Sequence, residues 1–178
     1  MTDHTPLITD VLKREGWDKY TNHAEDRGGP TKWGITQRAW SGYIGRDATA
    51  DDIAVITELQ ARTFYLHEYI IKPHFDLIEN AFVQELVIDC GVNHGTRAAA
   101  KWLQRAAGAK ADGAVGPNTL FAVNTASPYI LALRILASRV KLYGRLVTRD
   151  HRQAKFAAGW NARAASFLTA LAREMGEA

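Results

Sequence analysis

Residues 5–36 read T-P-L-I-T-D-V-L-K-R-E-G-W-D-K-Y-T-N-H-A-E-D-R-G-G-P-T-K-W-G-I-T, and the rest of the chain is organised around them. Thr5 suits an N-cap and Pro6 the first helical position. Leu7, Ile8, Val11 and Leu12 then form one apolar stripe of a short helix. Glu15 continues that stripe, and Gly16 can end the helix. The pattern therefore predicts a carboxyl group on a buried face, at the negative end of the helix dipole. Desolvation and the dipole both disfavour its charged form. A carboxyl group that holds its proton near neutrality is what a general acid requires.

Asp26 follows in E-D-R-G-G-P-T, where two glycines and a proline make a tight turn able to bring backbone close to a ligand. Thr31, Trp33 and Gly34 come next. A helix-end acid, a second carboxylate on a Gly-rich loop, a hydroxyl and an aromatic face are the parts of a glycosidase cleft.

The string E-G-W-D-x-x-T-N-x-x-x-D-R-G-G-P-T-K-W-G-I-T, residues 15–36, resembles the signature of glycoside hydrolase family 108, the lysozyme-like N-acetylmuramidases of bacteriophages and prophages. That family commonly shows E-G-G-Y followed by D-x-G-G-x-T-x-x-G-I-T. Glu15 and Gly16 match, whereas Trp17 and Asp18 replace the Gly-Tyr pair. The loop before Asp26 is longer than the commonest form, so Glu25 is an alternative partner for Glu15. The resemblance implies Glu15, Asp26 and Thr31 as catalytic residues, with Trp33 and Gln37 against the sugar.

The whole chain sets bounds. Its 178 residues suffice for one compact domain or two small lobes sharing a core. Apolar content of 47% and five Trp indicate a globular protein. The single Cys90 cannot form an internal disulfide and reads as a small core residue. No apolar run reaches membrane-spanning length. The opening M-T-D-H-T-P lacks the basic and apolar regions of a secretory signal. Residues 1–80 carry nine Lys/Arg against thirteen Asp/Glu, a net of −4. Residues 81–178 carry thirteen against six, a net of +7. A basic half points to a polyanionic partner.

Further along, Thr36 can cap a helix broken at Gly42 and Gly45. Thr49 and Thr57 each open a capping-box pattern. The second predicts a helix to about Ile71, stopped by Pro73, with Leu59, Thr63, Leu66 and Ile70 on one face. Tyr65 and Tyr69 lie at i, i+4 on a neighbouring face. They suit packing, and the family's aromatic residues in this helix also make them candidates for a wall of the sugar cleft. Asn80 can cap a helix with Phe82, Val83, Leu86, Val87 and Cys90 in phase. Its end, D-C-G-V-N-H-G at residues 89–95, is a segment with a family counterpart, which implies Asp89, Asn93 and His94 as substrate contacts.

Ala99, Trp102, Leu103 and Ala106 form the inward stripe of a helix starting at Thr96. The combination W-L-Q-R-A-x-G…D-G-x-x-G-P-x-T-L, from Trp102 to Leu120, resembles the family's peptidoglycan-binding segment. A long helix from Ser127 to about Arg149 is expected to bury Leu133, Leu136, Val140, Tyr143 and Val147, with Arg134, Arg139, Lys141, Arg145 and Arg149 on other faces. The late G-W-x-x-R pattern around Trp160 and Arg163 also has a family counterpart. Phe167, Leu168, Leu171 and Met175 lie in phase on a last helix.

The expected fold is mainly α and lysozyme-like: one predominantly helical globule with at most a short β-hairpin near residues 28–36. Residues 1–78 would be the catalytic muramidase segment and 79–178 the peptidoglycan-binding-like helical segment. The expected reaction is hydrolysis of the β-1,4 bond between N-acetylmuramic acid and N-acetylglucosamine, causing host cell lysis, with no cofactor and no metal. A lytic transglycosylase, which needs one Glu, is the nearest alternative. A non-catalytic wall-binding module is the alternative from another class. Six histidines without H-E-x-x-H or a cysteine cluster argue against a zinc peptidase. No base-reading helix and no single-strand stacking platform argue against nucleic acid. The basic half would meet peptidoglycan or an anionic outer-membrane surface, and nothing demands more than a monomer. Synthesis in the host cytoplasm and release through a separate membrane-permeabilising protein follow from the resemblance.

Overall fold

A computed structural model describes residues 3–22 and 29–176. The chain divides into two compact units, Met1–Lys72 and Pro73–Ala178. Asp26 and Glu25 lie outside the described residues.

In the first unit, helix α1 spans Thr5–Arg14 and buries Ile8, Val11 and Leu12. His4, not Thr5, holds the N-cap position, so Thr5 begins the helix and Pro6 sits in its first turn. At the other end, the Gly16 N–H donates to the Lys13 carbonyl and the Trp17 N–H to the Leu12 carbonyl. This pair of bonds is a Schellman stop, made possible by the left-handed backbone of Gly16 (φ 90°). Strands β1 (Thr31–Lys32) and β2 (Ile35–Thr36) pair antiparallel, with Thr31 opposite Thr36 and Lys32 opposite Ile35. Their two connecting residues, Trp33 (φ 57°) and Gly34 (φ 74°), are both left-handed, as in the tightest hairpins. Thr31 also forms a bridge with Thr21.

Helix α2 (Gln37–Ile44) is capped by the Thr36 side chain and ends at left-handed Gly45. Gly42, expected to break it, stays inside. Helices α3 (Ala50–Ala54) and α4 (Glu58–Leu66) each carry a complete capping box, Thr49 with Asp52 and Thr57 with Gln60. Helix α4 continues into a π-helical turn, His67–Ile71, closed by the Lys72 N–H on the His67 carbonyl. Its inward face is Ala61, Phe64 and Tyr65, whereas Leu59 and Thr63 face solvent. The expected Leu59 stripe fails because bulk decides the contact: Phe64 packs edge-on against Tyr43 and Tyr65 and tilted against Trp40.

The second unit begins with a 3-10 turn, Phe75–Leu77, and helix α5 (Ala81–His94), whose N-terminus the Asn80 side chain caps. Helix α5 buries the expected Phe82, Val83, Leu86, Val87 and Cys90. It also buries Gln84, Ile88 and Asp89, because neighbours cover it on several sides. Gln84 Nε2 meets the carbonyls of Phe75, Asp76 and Ile78, so its burial leaves no unsatisfied amide. Helices α6 (Thr96–Ala106), α7 (Pro117–Thr125), α8 (Pro128–Arg149) and α9 (Ala154–Gly176) follow. Helix α5 packs on α6 and α8, and α8 on α6 and α9.

On α8 the buried positions are Leu131, Ala132, Ile135, Leu136, Arg139 and Tyr143, while Leu133 and Val140 are exposed. The expected stripe misses because a charged residue points inward. Arg139 is fully buried against Asp89 and rotates the helix away from the face that hydropathy alone would choose. On α9, Leu171 is buried but Leu168 and Met175 are exposed. Among the described residues, no single helix is long and apolar enough to cross a membrane. Among the described residues, the mainly α, lysozyme-like fold class with one short hairpin is as expected.

Candidate active site

Glu15 is the C-cap of α1, its N–H donating to the Val11 carbonyl at 3.0 Å. The Schellman stop just beyond it fixes where its Cβ points. Gly34 lies directly against it. A Cβ added to Gly34 would sit 2.7 Å from Glu15 Cβ, 2.8 Å from Glu15 Cγ and 2.8 Å from the Tyr65 hydroxyl. The hairpin turn therefore needs glycine twice over, for its left-handed backbone and for the approach of the acid's stem. Tyr65 donates its hydroxyl to the Trp33 carbonyl at 3.0 Å, tying α4 to the turn. Tyr65 and Tyr69 stack with ring centres 5.4 Å apart. Burial raises both phenols above the ordinary tyrosine range, and the nearby Glu15 charge raises them further. The π-helical turn holds Tyr69 in place, and such turns recur at functional sites.

The carboxyl group of Glu15 is exposed rather than buried. The apolar stripe ends at Leu12, and at the C-cap the chain has already left the helical path, so helical phase no longer carries a side chain inward. Trp33 is the reverse case. It is 4% exposed, and its Nε1 donates to the Ile56 carbonyl at 2.9 Å. Trp17 packs edge-on against it with ring centres 5.5 Å apart. Half-exposed Trp17 is thus the indole open to solvent on this stretch, on a left-handed backbone (φ 55°) that a bulky residue rarely adopts. Thr31 is half-buried, with its hydroxyl on the Gly29 carbonyl at 3.2 Å. Gln37, also half-buried, donates to the Ala48 carbonyl. The structure therefore gathers Glu15, Gly34, Tyr65, Tyr69 and the Trp17–Trp33 pair.

Asp89, Asn93 and His94 belong to the second unit. Asp89 is 1% exposed and receives two guanidinium groups: Arg139 Nη1 at 2.7 Å, and Arg163 through Nε at 2.9 Å and through Nη2. Arg139 Nε donates to the Tyr143 hydroxyl. Asn93 donates to the Asp89 carbonyl at 2.6 Å. The His94 ring lies against Trp102 and Tyr143, with ring centres 5.3 and 5.7 Å away. Burial, reinforced by the Arg139 charge, lowers its pKa to about 4. Burial pushes the neighbouring Cys90 thiol up to about 12.

Gly34, Trp17 and Arg139 escaped the sequence reading. Gly34 had a signal, since a Trp-Gly pair between two short β-prone runs marks a two-residue turn. Arg139 had none, since an arginine on an amphipathic helix ordinarily faces water. Among the described residues, no group of three or more His, Cys, Asp or Glu is arranged to hold a metal ion.

Comparison with known proteins gives this geometry its context. A family model described as Glycosyl hydrolase 108 matches residues 8–95. A second, described as Predicted Peptidoglycan domain, matches residues 98–165. The solved structure of Brucella abortus SagA superposes with a TM-score of 0.77 at 26% identity, over 94% of this chain and 92% of that one. No curated protein sequence matches. With both segments matched in order and the fold shared along nearly the whole length, the chain belongs to the glycosyl hydrolase 108 family and is a peptidoglycan-directed glycoside hydrolase.

Proposed function

We propose that the chain is an endolysin-type N-acetylmuramidase that cleaves the β-1,4 bond between N-acetylmuramic acid and N-acetylglucosamine, with Glu15 as the proton donor to the leaving oxygen. The observation that carries this reading is the seat of Glu15. A helix stop, a glycine with no room for a methyl group and a tyrosine bound to the same turn converge on one exposed carboxyl group. A positioned acid in reach of substrate is the geometric requirement for general catalysis. Exposure leaves the carboxyl open to the polymer, and the sugar chain itself excludes water once it lies there.

Asp26, or Glu25 beside it, would stabilise positive charge on the sugar or activate water, and Thr31 would hold that water. A carboxyl separation of about 5 Å gives retention and about 6.5–9.5 Å inversion. Half-exposed Trp17 and Tyr69 supply aromatic surface in the same unit, with buried Trp33 backing Trp17. In this reading a monomer is made in the host cytoplasm, reaches the wall after a separate protein permeabilises the membrane, and lyses the host.

The test compares the wild-type chain with Glu15→Gln on purified Gram-negative peptidoglycan, with mass spectrometry of the products. Reducing N-acetylmuramic acid ends from the wild type, and binding without cleavage by the variant, are expected. 1,6-Anhydro ends would assign a lytic transglycosylase instead. Full activity in Glu15→Gln would remove the central premise.

A further inference from the structure

We propose that a cationic pocket between α6 and α8 binds the carboxylates of the peptide stems that branch from the glycan strand. The inference rests on the peptidoglycan reading of this segment and gives it a site. The cavity measures about 330 Å³ and is lined by Trp102, Arg105, Ser138, Lys141 and Arg145. That volume is at the lower end of the range for small-ligand sites. Trp102 and Arg105 are at i, i+3 on α6. Ser138, Lys141 and Arg145 are at i, i+3, i+7 on α8, so each helix presents one face to the cavity.

The charge there is one-sided. Residues 96–149 carry nine Lys/Arg and a single acidic residue, Asp112. Asp112 is held by the Gln104 side chain and the Ala114 N–H in the loop before α7. Among the described residues, no carboxylate pairs with Arg105, Lys141 or Arg145, whereas Arg139 and Arg163 in the same unit are both paired with Asp89. Among the described residues, the only hydrogen bond these three side chains make runs from Arg145 Nε to the Lys141 carbonyl, so no protein acceptor holds the terminal nitrogens of Arg145. Ser138 commits its hydroxyl proton to the Arg134 carbonyl, so recognition falls to the three cations. Trp102, 7% exposed, closes the floor.

Three like charges around one cavity repel each other, and an anion entering it relieves that cost. Arginine presents paired donors that match a carboxylate's two oxygens. N-acetylation leaves the amino groups of the glycan strand neutral, and the lactyl carboxyl of each peptide-bearing N-acetylmuramic acid is consumed in the amide bond to its stem, so the free carboxylates of such a ligand lie on its peptide branches. A concave site between helices also suits a side branch of a polymer, whereas a bilayer of lipid phosphates presents a plane that meets convex faces.

The experiment uses the full chain carrying Glu15→Gln, so that binding is read without cleavage. It compares that parent with the same chain bearing Arg105→Gln, Lys141→Gln and Arg145→Gln. Sedimentation with purified Gram-negative sacculi gives the affinity, and circular dichroism with thermal melting confirms that both chains fold. The triple substitution is expected to weaken binding at low salt by about tenfold, since each solvent-screened ion pair contributes roughly a factor of two to three. Sacculi whose carboxylates have been amidated should bind the parent as weakly as untreated sacculi bind the triple variant. Arg105→Lys with Arg145→Lys should restore most of the binding.

Equal binding by parent and triple variant, or undiminished binding to amidated sacculi, overturns the proposal. Loss of binding to phosphatidylglycerol vesicles with sacculus binding intact overturns it in favour of a lipid phosphate. Failure of the hydrolase reading shows separately, as a wild-type chain that releases no sugar ends from the sacculi that the parent binds.

Discussion

Replacing Gly34 with alanine separates the two demands this structure makes on that residue. Its backbone is left-handed (φ 74°), and a Cβ there would meet Glu15 Cβ, Glu15 Cγ and the Tyr65 hydroxyl at 2.7–2.8 Å. Gly45 provides the internal standard, because its φ is 72° and a Cβ there would meet nothing within 4 Å. Gly45→Ala therefore carries the conformational cost alone, about 1–2 kcal/mol for a left-handed L-residue. Gly34→Ala carries that cost plus overpacking of about 1–3 kcal/mol, a total of roughly 2–5 kcal/mol. The clash can be relieved only by moving the Glu15 stem, the Tyr65 ring or the turn itself. A displacement of about 1 Å in a catalytic group lowers the rate about 100-fold. Urea unfolding and release of reducing ends from peptidoglycan measure the two effects. Gly45→Ala should lose stability and keep its turnover, whereas Gly34→Ala should lose more stability and about two orders of magnitude in kcat. Equal destabilisation of the two variants, or full turnover in Gly34→Ala, would show that the turn does not position Glu15.

Other perturbations test the rest of the structure. Asp89→Asn leaves buried Arg139 without its counter-charge and should cost about 3–5 kcal/mol in urea unfolding, as broken buried ion pairs do. Arg163→Gln should cost less, since Asp89 keeps Arg139 as its counter-charge and the lost partner was 21% exposed. His94 has a native pKa lowered to about 4 against an ordinary 6.5, so the unfolded chain takes up its proton first. Its contribution is complete above pH 6.5 and is lost as pH falls towards 4. The shift would be worth about 3 kcal/mol for a fully buried ring, and partial solvation reduces this to about 1–2 kcal/mol. Unfolding midpoints at pH 7 and pH 4.5 should differ by that much more in wild type than in His94→Phe. Tyr65→Phe removes the bond to the Trp33 carbonyl and should cost about 1 kcal/mol of stability, with a fall in kcat at near-constant KM.

What the sequence revealed was what local chemistry decides. Thr36, Thr49, Thr57 and Asn80 each cap the helix predicted for them, because a side-chain oxygen three residues ahead of a free N–H needs no tertiary partner. The end of α1 at Gly16 was legible for the same reason, whereas the hairpin was expected from the family resemblance and its Trp33–Gly34 turn went unread. Which face of a helix is buried depends on what packs against it, and there the pattern failed. Leu59 lost to Phe64 on α4, and Leu133 and Val140 lost to a stripe containing Arg139 on α8. The position of Glu15 was readable from its motif, but its exposure was not, because the chain turns at that residue. The partners of Asp89 lie 50 and 74 residues away, beyond the reach of any local rule.

The ion cluster at Asp89 bears on how the molecule can be taken apart. The two family segments meet between residues 95 and 98, an inviting point at which to divide the gene into a cutting half and a holding half. Helix α5, carrying Asp89, would leave with the first half, and Arg139 and Arg163 would remain in the second. Each product would keep an orphaned charge and an uncovered apolar helix face. The physical seam lies 23 residues earlier, between Lys72 and Pro73. Chimaeras joined there would carry the carboxylate and both guanidinium groups as one inheritance, so exchanges of wall-recognition modules among relatives should succeed at that junction and yield insoluble protein at the other.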